Sequence, residues 1–143
     1  IGVRLVGSEM CIRDSHPGGK LGKMLLKVGD VMKKKDMIPL IKDDQKVSEA
    51  ILEMTSKGEG CVGVISKKGV LKGIITDGDL RRHMSPNLLK KKVTEIMTKK
   101  PKTLSIETSV SDAVKLMNKQ SITNYFITKK MKPLGIIHLH DIL

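Results

Sequence analysis

The chain has 143 residues, 39% of them hydrophobic, with one Tyr, one Phe and no Trp, so any core must be built from Ile, Val, Leu and Met. No apolar run approaches the roughly 18–20 residues that span a bilayer, so no transmembrane helix is expected. The formal charge is +12, but 23 of the 27 basic residues are Lys, gathered in short runs such as 33–35, 67–68 and 90–92. Without exposed aromatics for base stacking, these runs read as solvated turns, and a nucleic-acid surface is not expected.

Residues 1–15 differ from the rest. They hold two Arg, Glu9 and Asp14 but no Lys, so the whole positive charge belongs to residues 16–143. They lack the apolar core of a signal peptide and are expected to be a non-native leader outside the fold. His16-Pro17-Gly18-Gly19 opens a glycine-rich turn, and residues 23–27 form a short helix or linker. Residues 28–32 read as a short helical lead-in, and 37–41 as an extended segment started by Pro39.

Val47, Ala50, Ile51 and Met54 recur at i, i+3, i+4 and i+7, one face of a helix, which Gly58 and Gly60 end. Residues 61–66 and 70–76 read as strands joined by a Lys-Lys-Gly turn, and 77–84 as a second helix capped by Thr76 or Asp77. Cys11 and Cys61 show no zinc or CxxC spacing. Cys61 is expected to be a buried free thiol, which fits a reducing cytoplasm. After a turn at 85–87, the same course returns. Residues 101–106 are extended. Ser109 and Asp112 cap a helix carrying Val110, Ala113, Val114 and Met117 on one face. Residues 122–128 and 134–139 are strands, and a last helix opens at 141–143, where the chain reads as truncated.

The chain therefore says nearly the same thing twice. Val28-Gly29-Asp30-Val31-Met32 returns as Val93-Thr94-Glu95-Ile96-Met97, and Gly73-Ile74-Ile75 returns as Gly135-Ile136-Ile137. The reading divides the chain into a first unit over 28–84, a linker over 85–92 and a second unit over 93–143. Such units bury too little apolar surface alone, so they are expected to pack on each other. The fold class is α/β: two pseudo-twofold related βαββα units packed through their sheets.

The sharpest chemical feature is Gly73-Ile74-Ile75-Thr76-Asp77-Gly78-Asp79-Leu80-Arg81-Arg82, a strand running into a helix start. Free N–H groups there favour an anion. The Asp79 carboxylate has acceptors for the two hydroxyls of a ribose, and Arg81 and Arg82 could pair with phosphate. The competing reading of Asp79 is a helix cap. The second copy keeps Asp141 but has His138 in place of Thr76. His138 and His140 would share a face in a strand, yet without a carboxylate or Cys partner no metal site is assigned.

These motifs resemble those of CBS domains: the Val-x-Asp/Glu-Val/Ile-Met lead-in, the Val-x-x-Ala helix and the strand closing Gly-Ile-Ile-Thr-x-x-Asp. The resemblance covers residues 28–143. It implies a nucleotide, often adenosyl, held between the units, with Asp79 on ribose and Thr76 near phosphate. It also implies Asp141 and His138 at a second site, and base contacts from the extended segments around Ile38, Leu40 and Thr103.

The order of His-Pro-Gly-Gly-x-Leu-Gly, Thr-Asp-Gly-Asp-Leu-Arg-Arg and Gly-Ile-Ile-His-Leu-His-Asp-Ile-Leu further resembles the arabinose-5-phosphate isomerases of Kdo and lipopolysaccharide biosynthesis. In them a catalytic sugar-isomerase (SIS) domain precedes the pair. That implies that residues 16–27 close a missing SIS domain, that His16 is a catalytic residue of the parent enzyme, and that this fragment is itself inactive. The implied effector is CMP-Kdo or an adenine nucleotide, with no required cofactor. The implied partners are the missing domain and further copies of the chain in a homo-oligomer. The alternative is a purely structural oligomerisation module with no ligand.

Overall fold

The computed structural model describes residues 25–142; the leader and His16 lie outside them. In chain order the elements are α1 (Val28–Val31), a 3-10 turn (Lys35–Met37), β1 (Leu40–Lys42), α2 (Val47–Lys57), β2 (Cys61–Ile65), β3 (Leu71–Thr76), α3 (Asp77–Arg82) and a 3-10 turn (Leu88–Lys90). There follow α4 (Val93–Ile96), β4 (Thr98–Lys99), β5 (Thr103–Leu104), α5 (Val110–Gln120), β6 (Asn124–Lys129), β7 (Lys132–His138) and α6 (Leu139–Ile142). Among the described residues this gives an α/β body of two sheets, in the orders β1-β2-β3-β4 and β5-β6-β7. In each, a short strand runs parallel to the next one, which pairs antiparallel with a third.

The helical periodicities are realised. Val47, Ala50 and Met54 of α2 are buried, as are Val110, Ala113, Val114 and Met117 of α5. Ser109 caps α5, its hydroxyl accepting from Asp112 N–H at 3.1 Å. Gly58 ends α2 at φ 69°, in the left-handed region where a residue without Cβ is favoured.

Two expectations need correcting. Residues 35–37 form a 3-10 turn, so the first strand starts at Leu40 rather than within 37–39. Strand β4 was not foreseen, because Thr98 and Lys99 are both exposed and carry no apolar alternation. Their pairing is set by β3 instead: Gly73 faces Lys99 and Ile74 faces Thr98.

That pairing exchanges the lead-in segments. Strand β4 follows α4 yet joins the sheet of the first repeat. Reciprocally, Lys33 follows α1 yet bonds Ile136 of β7, with Lys33 N–H to Ile136 O at 2.9 Å and Ile136 N–H to Lys33 O at 3.0 Å. The cores are exchanged likewise. Val93 and Ile96 pack with Val47, Val62 and Ile75, whereas Val28 packs with Val110, Met117, Tyr125 and Ile137. The repeated motifs meet at these crossings. A Cβ on Gly73 would stand 2.6 Å from the Met97 sulfur and 2.8 Å from the Thr98 carbonyl oxygen. A Cβ on Gly135 would strike Met32 in the same way.

A third cluster, Ile38, Cys61, Leu71, Phe126 and Ile136, fills the seam between the sheets. Phe126 is fully buried there, and a Cβ on Gly63 would come within 2.9 Å of its ring. Gly63 and Phe126 hold matching places in β2 and β6, facing Leu40 and Thr103 respectively. Glycine in one copy thus makes room for the aromatic of the other.

Gly73→Ala and Gly135→Ala should each cost about 1–3 kcal/mol through overpacking, and Phe126→Ala about 3–5 kcal/mol through the cavity it leaves. Urea unfolding midpoints measure both. Unchanged midpoints in the glycine variants would show that the methionine crossings are loose.

Candidate functional site

Strand β3 delivers Thr76 to the start of α3, and Asp79 follows in the first turn. Asp79 is 3% exposed. One carboxylate oxygen accepts from Thr76 N–H at 2.9 Å and from the Thr76 hydroxyl at 3.2 Å. The other accepts from the Thr98 hydroxyl at 2.9 Å and from the guanidinium of Arg82. In return the Thr76 oxygen accepts from Asp79 N–H at 3.3 Å, completing a capping box. A carboxylate offers about four lone-pair sites, and here every one has a donor. A sugar diol could reach Asp79 only by exchanging places with Arg82 and Thr98. The Arg82 side chain is 65% exposed. Thr98 arrives on the exchanged strand, so this site exists only because the lead-in segments cross over.

A cleft of about 670 Å³ opens beside this carboxylate, within the size range of small-ligand sites. Thr76, Asp79, Arg81 and Arg82 form one wall, and Thr98, Lys100, Pro101 and Lys102 the other. Ile74, Ile122 and Asn124 lie between them, and the cleft reaches across the seam to Glu59, Cys61 and His138. The lining therefore carries four cations and the carboxylates of Glu59, Asp77 and Asp79.

Of the residues singled out in the sequence, Thr76, Asp79, Arg81, Arg82 and His138 come together here. Ile38, Leu40, Thr103 and Asp141 do not. Ile38 is buried in the seam. Leu40 opens β1, its N–H bonded to Glu53 at 3.2 Å. Thr103 pairs with Phe126 in β5, one residue beyond Lys102. Asp141 sits on α6 with Lys33 Nζ at 3.5 Å. The two histidines do not share a strand face, because β7 ends at His138 and His140 belongs to α6. Their rings stack at 4.9 Å, and His138 Nδ1 accepts from His140 N–H at 3.0 Å. Among the described residues no group of three or more His, Cys, Asp or Glu is placed to hold a metal, and no helix is long and apolar enough to cross a membrane.

Sequence reasoning missed Thr98, Lys100, Lys102, Glu59 and Asn124. Glu59 carried a readable signal: it stands where the second copy has Ile122. It is 5% exposed and is set between Gly58 and Gly60, both at positive φ. One of its carboxylate oxygens bonds Lys33, and this contact, more than any other, raises the lysine pKa. Its Oε1, like Oδ1 of Asn124, is buried with no hydrogen-bond partner among the described residues. The Asn124 amide donates to the Glu59 carbonyl and, at 3.2 Å, to the Cys61 sulfur. Burial is the main cause that pushes the Cys61 thiol up to about 11.

Comparison with known proteins fits this geometry. The family profile described as CBS domain matches residues 28–86 and 93–143. An uncharacterized protein of Rickettsia prowazekii is 42% identical over 128 residues, covering 90% of this chain and 40% of that protein. The arabinose 5-phosphate isomerase of Francisella tularensis is 37% identical over 140 residues, covering 95% of this chain and 42% of the enzyme. The chain thus spans about two fifths of the length of these relatives. Among solved structures, CBSX2 in complex with AMP superposes with a TM-score of 0.71 at 22% identity, covering 82% of this chain and 92% of that one.

The thiol has a pH consequence. The fold favours the protonated form, so its contribution to stability is complete below pH 9 and is lost as the pH rises from 9 to about 11. Iodoacetamide at pH 8 should label Cys61 slowly in the native protein and quickly in urea, as read by peptide mapping. Equal labelling rates would show that the thiol is not shielded.

Proposed function

The chain belongs to the CBS domain family, and from that premise we propose that it is the nucleotide-sensing regulatory pair of an arabinose-5-phosphate isomerase. The observation that carries this reading is the cleft beside Asp79, where a buried carboxylate with exchangeable donors faces Arg81, Arg82, Lys100 and Lys102. The ribose hydroxyls replace Arg82 and the Thr98 hydroxyl on Asp79. Arg82, once released, joins the other three cations on the phosphate. The base lies against Ile74 and Ile122, towards the Thr103 end of the second wall. The AMP complex of CBSX2 supports a nucleotide of this kind, and the isomerase relatives support the parent enzyme.

Isomerisation itself belongs to a sugar-isomerase domain of the parent, to which His16 would contribute. The pair acts on it from the cytoplasm by binding its ligand more tightly in one arrangement of a homo-oligomer than in another. CMP-Kdo is the effector proposed first, as feedback from the pathway, and an adenine nucleotide second.

The saturated hydrogen bonding of Asp79 favours a second reading, in which the capping box is structural and the pair only assembles copies of the chain. Thermal unfolding separates the two. At about 100 times its dissociation constant, CMP-Kdo, CMP or AMP should add about 2.7 kcal/mol of stability. Asp79→Ala and Lys100→Glu should each abolish that gain. No shift with any of these ligands would leave the assembly role.

A further inference from the structure

The pseudo-twofold relation gives residues of the cleft counterparts in the other copy, and several of these pairs are chemically unlike. Thr98 bonds across to Ile74 of β3 as Lys33 bonds across to Ile136 of β7. Asp79 corresponds to Asp141, Thr76 to His138, and Ile122 to Glu59. In the first cleft a neutral hydroxyl, that of Thr98, meets the aspartate at 2.9 Å. At the counterpart position, beside Asp141, an ammonium takes its place. Lys33 Nζ lies 3.5 Å from Asp141 and bonds Glu59, whose side chain is 3% exposed. Removing that ammonium would strand a buried carboxylate, a costly change. A hydroxyl from a ligand is a poor substitute for a charge.

Phosphate recognition is unequal as well. Lys35 keeps the place of Lys100, but Pro39, one residue before Leu40, stands where the first copy has Lys102, one residue before Thr103. Glu59 and Asp141 add two carboxylates, both paired with Lys33. His138 cannot offer the Thr76 hydroxyl, and its Nδ1 is already taken by His140 N–H.

We propose that the counterpart position at Asp141 takes no nucleotide, Lys33 serving as its resident cation between Glu59 and Asp141, so that each chain binds one nucleotide, on Asp79. This rests on reading the Asp79 cleft as a nucleotide site. It assigns Lys33, held by Glu59 at the edge of that cleft, as the residue that decides which half of a symmetric fold is used.

Isothermal titration of the whole chain with CMP-Kdo, CMP and AMP tests it. One nucleotide per chain is expected. Lys102→Glu and Asp79→Ala should weaken it at least tenfold, while Asp141→Ala should change it less than twofold. The double variant Lys33→Thr with Glu59→Ile, which removes the resident cation and gives these two positions the residues of the first copy, should raise the stoichiometry to two. Two nucleotides in the unmodified chain would overturn the proposal. So would one nucleotide lost with Asp141→Ala but kept with Lys102→Glu. A double variant that folds and still binds one overturns the role given to Lys33. No binding of any of the three overturns the nucleotide reading itself, and this inference with it.

Discussion

Everything in this molecule depends on two crossings, Met97 over Gly73 and Met32 over Gly135. Each strand can accept the opposing methionine only because it lacks a Cβ at that point. The crossing carries a short backbone segment onto the partner sheet and an apolar residue into the partner core: Val93 and Ile96 one way, Val28 the other. Neither half therefore owns a complete core. Two units that each bury limited apolar surface become one body by exchanging their first turns.

The exchange also builds the site. Without it Thr98 would not reach Asp79, and Lys100 and Lys102 would not face Arg81 and Arg82. The cleft is a by-product of how the halves are stapled, which explains why its walls come from both repeats. The symmetry of the backbone is broken by side chains. Gly63 yields to Phe126 in the seam, and Lys33 with Glu59 answers Thr98 with Ile122 across the axis. One backbone plan thus carries two different electrostatic environments about one seam, with a half-buried Asn124–Cys61 contact between them.

The repeat, the helix faces and the strand-to-helix turn at Thr76 were legible because they depend on periodicity and on capping, both local properties. Aligning the copies also aligned Asp79 with Asp141. The exchange was not legible. Val28 and Val93 announce that they are buried, but nothing in their neighbours says against which sheet. Strand β4 was invisible because two exposed polar residues have no pattern of their own. Lys100 and Lys102 were read with the solvated runs, since a lysine at a cleft mouth and one on a turn look alike in sequence. Glu59 is the instructive miss. An acidic residue aligned with an isoleucine is a discrepancy between copies, and such discrepancies mark where a symmetric fold has been specialised.

The central claim is that the crossings make the two halves one cooperative unit. Tyr125 is the chain's single Tyr, lies in the second half, and no Trp competes with its emission. Urea unfolding followed by Tyr125 fluorescence and by far-UV circular dichroism tests the claim directly, since the first probe reports one half and the second both. Coincident transitions with one midpoint are expected. A Tyr125 transition separated from the circular dichroism curve would mean that each half melts alone, and would contradict the account.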